Sequence, residues 1–153
     1  MADRTSSTTT IDAPAGAIMA VIADFAAYPQ WASGVRTAQP LALTPQGRAE
    51  RVRFTLDAGI IKDSYVLSYV WDGDRAVHWQ LSERGMSVSE MTGAYLLEES
   101  QNATKVTYEL AVGLAIPMIG MLKRRAEKTI IDTALKGLRN RVQQTVGESG
   151  GSR

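Results

Sequence analysis

The period of the apolar positions changes twice along this chain, and the changes mark out three kinds of structure. Thr5 to Ile11 is threonine-rich and reads as a strand. Asp12 is placed to cap the helix that follows, with Pro14 tolerated in its first turn. Ile18, Val21, Ile22 and Phe25 recur at spacings of three and four, so this helix buries one face. It is expected to run to about Ala26, because Pro29 lacks an amide donor and disfavours helical geometry at Tyr28. Tyr28 and Trp31 then flank the break as two large rings that are costly to leave in water.

From Val35 to Val112 the period is two. Val52, Phe54 and Leu56 alternate with Arg51, Arg53, Thr55 and Asp57, giving a strand with one dry and one wet face. An Ala58-Gly59 turn leads to Tyr65, Leu67, Tyr69 and Trp71, interleaved with Val66, Ser68 and Val70. Asp72-Gly73 is a hairpin signal, and Val77, Trp79 and Leu81 follow it with His78 and Gln80 between them. Met86 to Glu98 and Lys105 to Val112 fit two more strands, joined by the polar turn Glu99 to Thr104. The pattern leaves open which residues of 86–97 face inward. Such spacing predicts an antiparallel meander.

The period then returns to 3.6. Pro117 is expected to open a helix reaching about Val146, about 45 Å long if continuous. Its stripe comprises Ile119, Leu122, Ala126, Ile130, Ala134, Leu138 and Val142, widened by Ile131 and Leu135. A strand and helix, a run of strands and one long helix describe an α+β domain over residues 5–146 with the helices on one face. Residues 147–153, rich in Gly and Ser, read as a frayed tail.

A chain of 153 residues suits one domain with room for a substantial core. Its net charge of +1 supplies no global field for nucleic acid, which is not expected as a partner. The absence of cysteine excludes disulfides and thiolate chemistry. No run reaches the ~18 apolar residues of a membrane span, and Met1 to Thr10 lacks an apolar signal core. A cytoplasmic location is the expectation.

The titratable residues carry no sharp catalytic motif. His78, the only histidine, falls on the wet face of its strand and reads as exposed and inert. A histidine metal site needs further ligands at suitable spacing, so no metal is expected. No G-x-S-x-G context and no glycine-rich phosphate loop occur, and no cofactor is expected. Asp57 shares the wet face of Arg51 and Arg53, whereas Glu90 has no assigned face. Seven basic residues of the last helix, Lys123, Arg124, Arg125, Lys128, Lys136, Arg139 and Arg141, stand against Glu127 and Asp132. They read as a solvated face, with transient contact to an anionic membrane or a protein as the functional alternative.

Several segments resemble the START-like / Bet v 1-like superfamily, and within it the polyketide cyclase/dehydrase and lipid-transport group. They are Tyr28-Pro29-Gln30-Trp31, Met91-Thr92-Gly93-Ala94-Tyr95, the strand Thr104 to Leu110, and Pro117 followed by Lys123-Arg124-Arg125-Ala126. The resemblance covers Ser6 to Val146. It implies a helix-grip fold, in which a curved antiparallel sheet wraps the long helix around a cavity for a hydrophobic molecule. The ligand-binding candidates it implies are Trp31, Phe54, Leu56, Tyr65, Tyr69, Trp71, Trp79, Tyr95, Met118 and Leu122, with Tyr108 in the same aromatic set. Met118, Met121 and Leu122 would suit an adaptable lid. The leading expectation is binding or transport of a lipid, quinone or polyketide-like molecule. The alternatives are a polyketide cyclase, aromatase or dehydratase using Tyr65, Tyr69 or Glu90, and a protein-interaction module of the coenzyme Q-binding type.

Overall fold

The computed structural model describes residues 4–58, 61–115 and 120–151. In chain order come β1 (Thr5–Ile11), α1 (Ala15–Ala23), a 3-10 turn (Phe25–Ala27), α2 (Tyr28–Trp31) and β2 (Val35–Leu43). Then follow β3 (Ala49–Ala58), β4 (Ile61–Asp72), β5 (Ala76–Glu83), β6 (Val88–Ser100), β7 (Ala103–Leu114) and α3 (Gly120–Gly151). The strands form one antiparallel sheet in the order β1-β7-β6-β5-β4-β3-β2. β1 crosses over to pair with the last strand, Thr5 opposite Leu110 through Ile11 opposite Thr104. This is the expected α+β helix-grip fold: a curved sheet holding a long C-terminal helix. No helix among the described residues is long and apolar enough to cross a membrane.

The hairpins follow from local chemistry. Gly73 has φ of 52°, which glycine adopts without steric cost, and it turns β4 into β5. Between β6 and β7 the polar turn is tighter than expected. Pairing runs to Ser100 opposite Ala103, leaving Gln101 and Asn102 at φ of 52° and 72°. Two left-handed residues match the twist of the flanking strands. β2 lies at a sheet edge, where Pro40 is tolerated and the register slips on either side of Ala42.

The first helices differ from expectation in two ways. Asp12 does not cap α1; Pro14 occupies the N-cap without a side-chain bond. The Glu99 carboxylate, from the far end of β6, instead accepts the Ala15 amide at 2.6 Å. Nor does Pro29 drive Tyr28 out of the helical region. Tyr28 has φ −52° and ψ −41°, and the chain bends earlier, at Asp24 with ψ of 77°. Pro29 sits in the first turn of α2, where no helical amide is needed. Tyr28 is held there by burial and by its hydroxyl, which donates to the Ile22 carbonyl at 2.6 Å.

α3 corrects the predicted stripe. Ile131, Leu135, Leu138 and Val142 are buried as expected. Toward its start, however, the buried position is Glu127, while Leu122 and Ala126 are exposed. Leu122 lies five residues before Glu127, about 140° around the helix at 3.6 residues per turn. The helix also continues past Val146 to Gly151. Pro117, Met118, Ile119 and the Gly59 turn fall outside the described residues.

Candidate functional site

Strand pairing places the aromatic residues side by side. Phe54 of β3 lies opposite Tyr65 of β4, Tyr69 of β4 opposite Trp79 of β5, and Tyr95 of β6 opposite Tyr108 of β7. Directly opposed residues on one face are close enough for their rings to interact. The ring centroids of these pairs are 5.9, 5.9 and 4.6 Å apart. Trp79 bridges the last two pairs, 5.5 Å from Tyr95 and 5.6 Å from Tyr108 in an edge-on arrangement. Its indole fits flat because its cross-strand partner is Gly93, where a Cβ would overlap the ring.

These rings wall a cavity of about 210 Å³ between the sheet and α3. Trp31 and Tyr28 of α2, Leu56 of β3, Met91 and Val88 of β6, and Val112 and Leu114 of β7 complete much of the wall. Ile130 and Ala134 of α3 close it from the helix side. Tyr95 and Met91, whose facing the pattern left open, both point inward to this space. Trp31 is fixed in place by α3. Its backbone carbonyl packs so closely on Gly137 that a Cβ there would collide with it. The Trp31 indole Nε1 is buried without a hydrogen-bond partner among the described residues.

The hydroxyl-bearing residues of the wall are neutral donors and acceptors. Burial holds the phenols of Tyr65, Tyr69 and Tyr95 above the ordinary tyrosine range, with the neighbouring phenols and, at Tyr65, the Asp63 carboxyl adding to it. Burial alone does the same at Tyr108. A phenol that stays protonated can donate a hydrogen bond to a carbonyl or hydroxyl but cannot serve as a base near neutral pH.

Of the residues singled out in the sequence, Trp31, Phe54, Leu56, Tyr65, Tyr69, Trp79 and Tyr95 line the cavity. Trp71 does not. It sits near the opposite end of β4, its indole donating to the Ala49 carbonyl at 2.7 Å with the Arg48 guanidinium over its ring. Leu122 is turned to solvent by the phase of α3, and Met118 lies outside the described residues. Glu90 is exposed and borders a separate surface depression with Gln80, Ser89 and Gly113. His78 is exposed, as expected. Ile130 and Ala134 were legible as stripe residues but not as cavity wall. Their role depends on how far α3 stands off the sheet.

Two further features lie near the site. Asp63 accepts the amides of Ser64, Met86, Ser87 and Val88 at 2.8–3.1 Å, and so fixes the segment that carries Val88 to the cavity. Burial alone would raise its carboxyl, but these amide bonds outweigh that and hold it below the usual carboxylate range. On the surface, Arg124 and Arg125 share a depression with Arg4 and Lys128. Arg4 is paired there with Glu109 at 3.2 Å and Lys128 with Asp132 at 2.9 Å, so half of that basic cluster is already engaged.

Comparisons with known proteins agree with this geometry. A family model described as "Polyketide cyclase / dehydrase and lipid transport" matches residues 2–143. No match was found among curated protein sequences. Among solved structures, the chain is similar to a START superfamily protein from Mycobacterium smegmatis, with a TM-score of 0.86 and 20% identity. That match covers 94% of this chain and 99% of the other. A Thermus thermophilus protein matches at a TM-score of 0.75 and 19% identity, over 93% of this chain and 98% of that one. The Zhui aromatase/cyclase from a Streptomyces species matches at 0.73 and 15% identity, over 94% of each chain. At such identities these structures establish the fold.

Proposed function

The chain belongs to the polyketide cyclase / dehydrase and lipid transport family, and on that premise we propose that it binds and carries a hydrophobic small molecule in the aromatic cavity. One observation supports this most strongly: the wall of the space between sheet and helix is built from apolar and aromatic side chains with a few hydroxyls among them. Small-molecule sites have that make-up, with apolar burial supplying affinity and sparse polar groups fixing orientation. At about 210 Å³ the cavity is smaller than the ~300–1,000 Å³ of typical ligand pockets. A compact, ring-sized ligand fits it best, or a longer one that parts the wall as it enters. The partnerless Trp31 Nε1 marks where an acceptor on such a ligand would be welcome.

Native mass spectrometry of protein purified without detergent tests the proposal. We expect a co-purifying apolar molecule, or a raised melting temperature on adding the neutral fluorophore N-phenyl-1-naphthylamine. An empty chain, together with no thermal shift from that probe, from fatty acids or from a benzoquinone, sinks it.

A second reading is a cyclase or aromatase. It draws on the tyrosine hydroxyls of the wall, which would bind and orient the carbonyls of a polyketide chain, and on the fold shared with the Streptomyces aromatase/cyclase. Orientation alone supplies large rate factors, so this reading needs no sharp catalytic motif. Under it, Tyr65→Phe and Tyr69→Phe each lower turnover of a poly-β-ketone substrate about tenfold or more with the fold intact. Unchanged turnover in both variants rules it out.

A further inference from the structure

The most unusual group in the molecule is the carboxylate of Glu127. It is 2% exposed, on the buried face of α3, at a position where the rest of the stripe is apolar. Its two oxygens reach different elements. Oε1 accepts the Thr5 hydroxyl of β1 at 2.7 Å, and Oε2 accepts the Val112 amide of β7 at 2.8 Å. The Lys123 ammonium stands 3.9 Å away, one turn earlier on the helix.

Strand topology explains why this acceptor is needed. β1 begins at Thr5, opposite Leu110, whereas β7 continues to Leu114. Beyond Leu110 no described residue of β1 pairs with the outer edge of β7, and the Val112 amide meets a carboxylate oxygen of α3 there. Glu127 supplies the acceptor at that rung. Beside it lies the seam where the cavity wall passes from sheet to helix, with Val112 and Leu114 on one side and Ile130 and Ala134 on the other. Before Glu127 the helix is held weakly: Met121 and Leu122 are 72% and 49% exposed. After it come the fully buried Ile131 and Leu138. Glu127 is therefore the first buried anchor of α3 and the only described side chain of α3 bonded to β7.

An apolar residue would bury more cheaply here, because a polar group taken from water must be repaid by its hydrogen-bond partners. What a carboxylate adds is a directional tie that is either made or broken. We infer that Glu127 is a positioning residue that latches α3 to the outer edge of β7 at Val112, and that opening this latch parts the seam and sets the rate at which ligand enters and leaves. The inference rests on the cavity being the ligand site. It does not require Glu127 to touch the ligand.

The test pairs two substitutions at this position with a control at the other end of the molecule. Glu127→Ala leaves the Val112 amide without an acceptor. Glu127→Gln can keep both bonds, its carbonyl accepting from Val112 and its amide donating to a turned Thr5 hydroxyl. Thr104→Val removes a comparable buried bond, from the Thr104 hydroxyl to the Ala13 carbonyl at 2.8 Å, far from the seam. In amide hydrogen exchange of the ligand-free protein, Glu127→Ala should speed exchange at Val112 and in the turns of α3 around Glu127 about ten- to hundredfold. Leu135 to Val142 should stay protected, and Glu127→Gln should restore the parent pattern. In stopped flow with N-phenyl-1-naphthylamine, Glu127→Ala should raise association and dissociation rates together by about tenfold with little change in affinity, while Thr104→Val leaves both unchanged.

Uniform loss of protection along α3, or equal acceleration by Thr104→Val, would show that Glu127 only stabilises and would overturn the latch. If the parent protein fails to bind the probe, the cavity reading fails; hydrogen exchange then still decides whether the seam opens locally at Glu127.

Discussion

The two ends of the space between sheet and α3 are both lined by apolar side chains, yet one is packed and the other hollow. At the packed end, Ile11 of β1, Val77 of β5, Val106 of β7 and Leu138 and Val142 of α3 are all fully buried. α1 fills the gap there with Ile18 and Met19, also fully buried. At the hollow end, Leu56, Tyr65, Met91, Leu114, Ile130 and Ala134 face one another across about 210 Å³. α1 stops at Ala23 and the chain bends at Asp24, so α1 does not fill that end, and the four-residue α2 only walls it with Tyr28 and Trp31. The cavity thus comes from where one short helix ends, and its wall carries the aromatic rings. Under the proposed function the difference also divides the work: the packed end carries stability, and the hollow end takes the ligand.

The largest effect that can break this division comes from the packed end. Leu138→Ala should cost about 3 kcal/mol in denaturant unfolding, as buried leucine truncations do. Leu56→Ala, on a half-buried cavity residue, should cost about 1 kcal/mol or less. It should alter probe affinity far more than Leu138→Ala does. Equal stability losses would mean that the ends are not distinct. Next in size is Gly137→Ala, where the new methyl group overlaps the Trp31 carbonyl. We expect about 1–3 kcal/mol of destabilisation together with weakened probe binding, since Trp31 must move. An unchanged melting temperature would show that α2 yields freely.

The smallest effect is on pH. The Asp63 carboxyl is held below its unfolded value by amide bonds from the segment leading to Val88. Its contribution is fully present above an unfolded pKa of about 3.9 and is lost as pH falls through the lower folded value. Acid should therefore loosen the hollow end selectively, through release of Val88 and its neighbours. Asp63→Asn should flatten this acid limb below about pH 4 in unfolding measurements. An identical acid limb in the variant removes Asp63 from the account.

Much of the site was legible in the sequence. Tyr65, Tyr69 and Trp79 share one strand parity, and so their common face followed from a period of two. Trp71 shares that parity and still misses the cavity, because parity sets the face and not the distance along the strand. Glu127 was the clearest failure. Next to Lys123, Arg124 and Lys128 it looked like one more charge on a wet face. The one available signal was a period check centred on Ile131, Leu138 and Val142, which extrapolates back to Glu127 rather than Ala126. Asp12 failed for a related reason: the α1 amide it was expected to cap is taken by Glu99, 84 residues away along the chain.

By itself, the sequence determined the kinds of the main elements, the hairpin between β4 and β5 and the inward faces of β3, β4 and β5, while β2 and α2 were not legible in it. Those properties follow from neighbours a few residues apart, through helical and strand periods and turn geometry. Tertiary structure alone decided that a void exists, which end of the sheet it occupies, and that a buried carboxylate ties α3 to β7. Each of these depends on where separate elements stop relative to one another: β1 at Thr5, β7 at Leu114 and α1 at Ala23. Periodicity reports which way a side chain points. It carries no information about what stands opposite.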